Sequence, residues 1–246
     1  MTIELYTGTP GSGKSLHMAE DIFRFSSQGR PVAANFPIKR NCFMGGPIFE
    51  LNENLDPRYF VWLSNYWFKE KGKRFHEDEI LVCLDEAQLI FNSRTWNEAN
   101  RKDWIRLFTQ HRKYGLKFVL ATQFEPMLDK QIRSLCEHEV IHRKVANMGF
   151  IGRVMSAFTA NRLFVAVTTY HGMNLKIKSE FFLRSPLNDR LYDSHIKWEP
   201  EDWGAYIPPE YENYYKQLAE QSAKDGSDCS ETSLAEVSAN SPLDKL

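Results

Sequence analysis

A glycine-rich run close to the first residue constrains the fold of this chain more than any other feature. Residues 8–15 read GTPGSGKS, which fits the pattern G-x-x-x-x-G-K-[ST] of the phosphate-binding P-loop. Residues 3–7 before it have the alternation of a strand, and residues 16–27 after it have the apolar spacing of a helix. Because a strand, a glycine loop and a helix are the context that the motif requires, the sequence predicts a P-loop nucleotide-binding fold.

Phosphate and metal binding explain each residue type in this loop. The glycines allow backbone conformations in which successive N–H groups converge on phosphate oxygens. The Lys14 ammonium is expected at the β- and γ-phosphates, and the Ser15 hydroxyl is expected to ligate Mg²⁺. The following helix directs the positive end of its dipole at the same phosphates. The predicted nucleotide-binding residues are Gly8, Thr9, Pro10, Gly11, Ser12, Gly13, Lys14, Ser15 and Leu16.

Two acidic residues follow a strongly apolar segment. Residues 80–84 read ILVCL, as expected for a strand covered on both faces of a parallel sheet, and Asp85 and Glu86 come next. Ligands bind at the carboxyl ends of strands in open α/β sheets, where a P-loop nucleoside triphosphatase needs a carboxylate for its Mg²⁺. We therefore assign Asp85 to the metal and Glu86 to the general base that polarises the attacking water. Together with the P-loop, this pair predicts binding and hydrolysis of Mg-ATP.

A second apolar strand is predicted over residues 116–123, and it also ends in a polar pair, Thr122 and Gln123. If this strand lies beside residues 80–84, Gln123 reaches the acidic pair, where it senses the γ-phosphate or holds the water. The alternative, in which Gln123 caps the helix that follows, remains open.

Composition and patterning predict the domain organisation. The chain has 246 residues and is 42% hydrophobic, which is typical of a globular protein. Its formal net charge of −1 gives it no overall positive field that would attract a polyanion. Residues 39–58 are rich in turn residues, and residues 162–170 and 176–183 alternate as a β-hairpin. We predict an α/β fold with a mainly parallel sheet flanked by helices and a C-terminal β-hairpin. The predicted units are an ATPase domain (1–185), a proline- and aromatic-rich wrapping extension (186–215) and an acidic, serine-rich disordered tail (216–246).

Cysteine usage and hydropathy exclude several classes of protein. The four cysteines form no C-x-x-C pair, which argues against a disulfide framework or a zinc site and fits a reducing compartment. No stretch reaches the roughly 18 consecutive apolar residues of a membrane-spanning helix. A dense aromatic run at residues 59–68 has two readings, because it either packs over the sheet or stacks the bases of single-stranded DNA.

Three further stretches support a family resemblance. Residues 111–115 read HRKYG, a strand ending in ATQ follows at residues 121–123, and residues 128–133 read LDKQIR. With the P-loop and the acidic pair, they make the chain similar to the zonula occludens toxin-like (Zot) domain through about residue 195. That resemblance implies the ATPase domain of filamentous-phage assembly and export proteins, a branch of the FtsK/HerA group of ring-forming DNA-pumping ATPases. The toxin activity in the family name belongs to sequence outside this domain.

The resemblance also implies roles for individual residues. Glu86 becomes the catalytic base, Gln123 a sensor, and an arginine finger reaches the nucleotide of the neighbouring subunit in a homo-oligomeric ring. Arg112 matches the family position best, with Arg106 and Arg133 as alternatives. Arg106 and Arg112 belong to the basic segment 98–113, and the alternative interpretation of that segment is a solvated helix face.

The function that the resemblance implies is an ATP-driven motor for virion extrusion or DNA export. Its expected partners are phage coat or membrane assembly proteins, with single-stranded DNA as a further candidate. We expect it in the host cytoplasm, held at the inner membrane through such partners, because an acidic tail stands where family members usually carry a transmembrane helix. The alternatives are a translocase that packages DNA into a preformed capsid and a nucleotide-gated adaptor with little turnover.

Overall fold

The computed structural model describes residues 2–39, 43–51, 55–92, 98–160, 162–173, 175–184 and 191. The strands are β1 (Ile3–Thr7), β2 (Val32–Ala34), β3 (Ile48–Glu50), β4 (Ile80–Leu84), β5 (Leu116–Thr122), β6 (His138–Lys144), β7 (Leu163–Tyr170) and β8 (Leu175–Leu183). The α-helices are α1 (Lys14–Ser27), α2 (Pro57–Asn65), α3 (Ala87–Ile90), α4 (Glu98–Gln110), α5 (Lys130–Leu135) and α6 (Gly149–Phe158). A π-helical turn (Tyr66–Glu70) and 3-10 turns (His111–Tyr114, Glu125–Met127, Val145–Asn147) complete the set.

The strands form one eight-stranded sheet in the order β3-β2-β4-β5-β1-β6-β7-β8. The six strands from β3 to β6 are parallel, while β7 and β8 are antiparallel additions at the other end. The predicted α/β fold with a mainly parallel sheet is therefore confirmed, as is the terminal hairpin. α1 begins at Lys14, two residues earlier than its apolar spacing predicts.

The central strands are covered on both faces, as the continuous apolar run of β4 predicts. Leu81 and Cys83 face α1 and pack with Met18 and Ile22, while Val82 lies on the opposite face. Burial raises the pKa of the Cys83 thiol well above its usual range, so this residue behaves as a small apolar side chain.

The second face is closed by interlocking aromatic rings around Trp104 of α4. Its ring centroid lies 5.5 Å from that of Phe60, 4.9 Å from Phe91 and 5.4 Å from Phe108. The aromatic run at 59–68 contributes its buried members Tyr59, Phe60, Trp62 and Trp67 to this layer. Because a base-stacking platform needs exposed ring faces, the packing interpretation is right for these four residues.

One strand lies where the sequence predicts only turns. β3 occupies three residues inside 39–58 and pairs in parallel with β2. The N–H groups of Gly45 and Gly46 donate to the Ser26 carbonyl at the end of α1, which anchors the segment. A Cβ atom at Gly46 would lie 2.0 Å from the Arg30 carbonyl oxygen, so glycine alone allows this approach. A three-residue strand formed by such contacts is too short to show a period of its own.

The remaining organisation is described only in part. The proposed units 186–215 and 216–246 lie outside the described residues except for Leu191, which is buried against the α1 side of the sheet. Within the described ranges, no helix combines the length and apolar character that crossing a bilayer needs.

The aromatic layer predicts a large stability effect. Trp104 is 1% exposed, and its replacement by Ala should lower the free energy of unfolding by about 3–5 kcal/mol, because it removes packing and leaves a cavity. Urea unfolding followed by circular dichroism measures this. The matched control is Phe150→Ala at an 80% exposed aromatic of α6, which should change stability by no more than about 0.5 kcal/mol. A Trp104→Ala protein as stable as the control would contradict the core assignment.

Candidate nucleotide-binding and hydrolysis site

The predicted site residues lie at one edge of the sheet. β4, β5 and β1 are parallel neighbours, so their carboxyl ends point to the same edge. The P-loop follows β1, Asp85 and Glu86 follow β4, and Gln123 follows β5. Thr7 lies opposite Thr122 in the register, which brings the P-loop and Gln123 to the same level of the sheet.

The P-loop is packed tightly against the antiparallel end of the sheet. Gly8 and Gly13 have φ angles of +146° and +99°, which favour glycine. A Cβ atom at Gly8 would lie 2.6 Å from the His142 carbonyl oxygen, and one at Gly13 would lie 2.8 Å from a ring carbon of Phe164. β6 and β7 therefore form a wall of the loop and leave room for no larger residue at these two positions.

Lys14 is held inside the loop. Its Nζ donates to the carbonyl oxygens of Gly8 at 2.7 Å and Thr9 at 3.4 Å. Burial lowers the pKa of this ammonium, while the carboxylates of Asp85 and Glu86 oppose the shift. A buried ammonium bonded to loop carbonyls is suited to exchange those contacts for phosphate oxygens.

Asp85 connects the P-loop to the strand β4. The Ser15 hydroxyl donates to Oδ2 of Asp85 at 3.2 Å. Asn35, just after β2, clamps the Asp85 backbone because its Nδ2 donates to the Asp85 carbonyl at 2.9 Å and its Oδ1 accepts from the Asp85 N–H at 2.7 Å. This amide clamp fixes the position of the carboxylate, and the sequence analysis missed it.

Ser15 and Asp85 offer the oxygen ligands that Mg²⁺ prefers. In the described part of the chain, no cluster of three or more His, Cys, Asp or Glu side chains is able to hold a metal ion by itself. Two oxygen ligands from the protein suit Mg²⁺, which commonly takes its other ligands from nucleotide phosphates and water.

Glu86 has an unusual backbone and two amide partners. Its φ and ψ angles are 48° and 44°, a left-handed conformation that costs a non-glycine residue free energy and is often found at functional sites. Its carboxylate accepts from Nε2 of Gln123 at 3.0 Å and from Nε2 of Gln88. The structure thus places Gln123 on Glu86 and does not use its side chain as a helix cap.

Gln88 is a second residue that the sequence analysis missed. It is buried in α3 just after the acidic pair, and its Oε1 has no hydrogen-bond partner within the described part of the chain. A polar residue two positions after Glu86, at the start of a helix, was the available signal. Gln88 and Gln123 together hold the Glu86 carboxylate from two sides.

A histidine pair ties the P-loop helix to β6. Nδ1 of His17 lies 2.8 Å from Nε2 of His142, and Nδ1 of His142 lies 3.3 Å from the Thr7 carbonyl oxygen. Burial, helped by the neighbouring His17, lowers the pKa of His142 to about 3. His142 is therefore neutral, its Nδ1–H donates to Thr7, and its Nε2 accepts from His17.

Arg112 lies at the opposite edge of the sheet. It precedes β5, and its guanidinium pairs with Glu137 at 2.8 Å, beside Ile3 at the start of β1. The pairing with Glu137 raises the pKa of Arg112 further, and its side chain is 57% exposed. Since a five-residue strand separates the two edges by roughly 15 Å, Arg112 does not reach the P-loop of its own protomer.

The two alternative arginines lie in helices, Arg106 in α4 and Arg133 in α5. Arg106 of α4 is exposed and 4.0 Å from Asp103, whereas Arg133 of α5 pairs with Glu125 at 3.3 Å. Glu125 comes two residues after Gln123, so Arg133 is the candidate whose ion pair lies at the nucleotide edge.

The neutral His142 predicts a pH dependence of stability. The unfolded histidine takes up a proton near pH 6.5, whereas the folded one takes it up only near pH 3. The free energy of unfolding therefore decreases as pH falls from about 6.5 towards 3, by up to about 1.4 kcal/mol per pH unit. His142→Asn retains a donor for Thr7 but does not titrate, so the variant should gain stability relative to wild type as pH falls. Urea unfolding between pH 7.5 and 4.5 tests this, and a stability difference that is independent of pH would contradict it.

Comparison with known proteins shows which family the chain resembles. The Zonular occludens toxin (Zot) family profile matches residues 2–186. The gene 1 protein of Enterobacteria phage I2-2 is 29% identical over 175 residues, which are 66% of this chain and 46% of that protein. The gene 1 protein of Enterobacteria phage M13 is 28% identical over 206 residues, or 79% and 59% of the two chains. This chain thus spans about half the length of these relatives.

The solved N-terminal domain of the zonular occludens toxin from Neisseria meningitidis is also similar. It is 20% identical, with a TM-score of 0.48 over 78% of this chain and 98% of that domain. The family match extends from β1 to β8 and includes the whole nucleotide edge of the sheet. This chain belongs to the Zonular occludens toxin (Zot) family.

Proposed function

We propose that this chain is an ATP-hydrolysing motor that drives assembly and extrusion of a filamentous virion, or export of phage DNA, at the host membrane. The observation that carries this proposal is the contact of Ser15 with Asp85 at one sheet edge, with Glu86 and Gln123 beside it. Membership of the Zot family and the likeness to phage gene 1 proteins support the biological setting.

Binding of ATP rests on the loop and the start of α1. Backbone N–H groups of the loop and of the first turn of α1 would donate to the phosphates, and the helix dipole favours their negative charge. The Lys14 ammonium exchanges the carbonyls of Gly8 and Thr9 for phosphate oxygens. Ser15 and Asp85 would hold Mg²⁺, which when bound neutralises charge on the phosphates.

Hydrolysis follows from the Glu86 carboxylate. Glu86 accepts a proton from a water whose oxygen forms a bond to the γ-phosphorus, while the bond from that phosphorus to the β,γ-bridging oxygen breaks and ADP leaves. Gln123 and Gln88 orient the Glu86 carboxylate, because the side-chain amide of each donates an N–H hydrogen bond to it. Asn35 holds the backbone of the preceding residue, Asp85, and so fixes the position of the metal ligand next to the base.

Two variants separate ATP binding from turnover. Lys14→Ala should abolish detectable ATP binding in isothermal titration calorimetry, because it removes the charge that holds the phosphates. Glu86→Gln should bind Mg-ATP as wild type does but lower phosphate release by about 10²–10⁴-fold, because only the base is lost.

The control for this pair is Glu125→Gln, a carboxylate at the same edge that faces Arg133 instead of Glu86. It should turn over ATP at nearly the wild-type rate. A folded Glu86→Gln protein that fails to bind ATP would show that Glu86 belongs to the binding site and is not the base.

Hydrolysis by a ring requires a residue from the neighbouring protomer. Arg112 is exposed and remote from its own P-loop, which suits a finger that acts on the adjacent site. A guanidinium placed at the γ-phosphate neutralises charge that develops in the transition state, and in other P-loop enzymes it accelerates hydrolysis by about 10³–10⁵-fold.

Mixing two inactive proteins tests the shared site. Arg112→Ala and Lys14→Ala should each lack turnover, yet an equimolar mixture should regain activity, because some interfaces then pair an intact Lys14 with an intact Arg112. Phosphate release against mixing ratio is the measurement. If Arg112→Ala alone turns over at the wild-type rate, the finger is another residue, and the same mixing with Arg133→Ala and Arg106→Ala identifies it.

The partners proposed for this motor are a second copy of the chain in a ring, phage coat or membrane assembly proteins, and single-stranded DNA. The proposed location is the host cytoplasm at the inner membrane. ATP hydrolysis that rises on addition of single-stranded DNA or coat protein would support a motor. Nucleotide binding without appreciable turnover under all these conditions would favour an adaptor, and stimulation by duplex DNA alone would favour capsid packaging.

A further inference from the structure

α6 buries two small residues on one side and exposes large apolar residues on the opposite side. Gly152 and Ser156 are buried, and a Cβ atom at Gly152 would lie 2.3 Å from the Val145 carbonyl oxygen. The side chains of Phe150 and Phe158 are 80% and 88% exposed, and Val154 between them is also exposed. Because four-residue spacing places 150, 154 and 158 on one side of a helix, they form a continuous outward stripe opposite the buried side.

The sequence around α6 is basic and has no acidic residue nearby. No Asp or Glu occurs between Glu139 and Glu180, whereas six Lys or Arg residues do. Four of the six lie in or beside α6, and in the described part of the chain they make no ion pair with an acidic side chain. They are Arg143, Lys144, Arg153 and Arg162.

The stripe lies at the nucleotide edge of the sheet. β6 runs parallel to β1, so α6 leaves the sheet at the edge that carries the P-loop. β8 ends at this edge too, since Leu183 lies opposite Leu163, the first residue of β7. Phe181 and Leu183 of β8 are 60% and 55% exposed and extend the apolar character of this edge.

From this arrangement we propose that α6 binds directly to an anionic lipid surface. Its stripe (Phe150, Val154 and Phe158) enters the region between headgroups and acyl chains, while the four cations contact lipid phosphates. The inference goes beyond the proposed motor, because it assigns membrane contact to this chain itself and does not depend on ATP hydrolysis. It also turns the P-loop edge of the sheet toward the bilayer.

The chemistry of the stripe favours lipid over single-stranded DNA. Both are polyanions that the four cations attract, but bases bind by stacking on ring faces. The central Val154 and the exposed flanking Met148 and Met155 have no ring. Apolar side chains of mixed shape gain more from an acyl-chain environment, in which no stacking geometry is required.

Vesicle co-sedimentation of the full chain tests the proposal. Wild type should bind vesicles of phosphatidylcholine mixed with phosphatidylglycerol, bind pure phosphatidylcholine at least tenfold more weakly, and lose affinity as salt is raised. The double variant Phe150→Ser/Phe158→Ser should bind the anionic vesicles at least tenfold more weakly than wild type. Arg153→Gln/Arg162→Gln should also bind them at least tenfold more weakly, at roughly fivefold per cation.

Two controls keep the test specific. Leu175→Ser changes an exposed apolar residue at the opposite edge of the same sheet and should bind vesicles as wild type does. Lys14→Ala should also bind normally, which separates failure of this proposal from failure of the proposed ATPase. Thermal unfolding of the Phe150→Ser/Phe158→Ser protein should match wild type, because both side chains are exposed.

Three results would overturn the proposal. The first is equal binding of wild type and the double phenylalanine variant to anionic vesicles. The second is absence of vesicle binding together with binding to single-stranded DNA, measured by fluorescence anisotropy, that the variant loses. The third is absence of vesicle binding together with an oligomer, seen by sedimentation velocity, that the variant loses, since the stripe would then be a contact between copies of this chain.

Discussion

The parallel pairing of β1 between β5 and β6 is the constraint on which the rest of this structure depends. Its register brings Thr7 level with Thr122 on one side and Ile141 on the other. The P-loop therefore starts beside Gln123 and beside the strand that carries His142. Because the six strands from β3 to β6 run in one direction, the N-terminus of α1 and the carboxylates after β4 lie at the same edge of the sheet.

Side-chain amides fix the two acidic residues that the sheet brings to this edge. Asn35 bonds to both backbone groups of Asp85, and Gln88 and Gln123 both donate to Glu86. These amides hold a carboxylate pair in which Glu86 has a left-handed backbone. Asn35 holds the backbone of Asp85 and two neutral amides hold the Glu86 carboxylate, so both acids keep fixed positions at the nucleotide edge.

Local sequence patterns identify the parts of this fold whose environment is uniform. β4 is apolar at every position because both of its faces are covered. The alternation predicted for the hairpin does not match its burial, since β7 is buried at most positions and β8 is exposed at most positions. β3 and α6 have no such pattern. β3 forms because β2 offers it a hydrogen-bonding partner. In α6, Phe150, Val154 and Phe158 are exposed, so their helical spacing does not mark a side that faces the core.

The sequence by itself determined the P-loop, the metal and base candidates Asp85 and Glu86, and the α/β class, because each depends on residues that are adjacent in the chain. Only the tertiary structure decided which residues complete the site. Asn35 meets Asp85 across 50 positions, and His17 meets His142 across 125. Contacts of that separation depend on strand order and register, which are set by packing of the whole sheet and leave no spacing for a motif to detect.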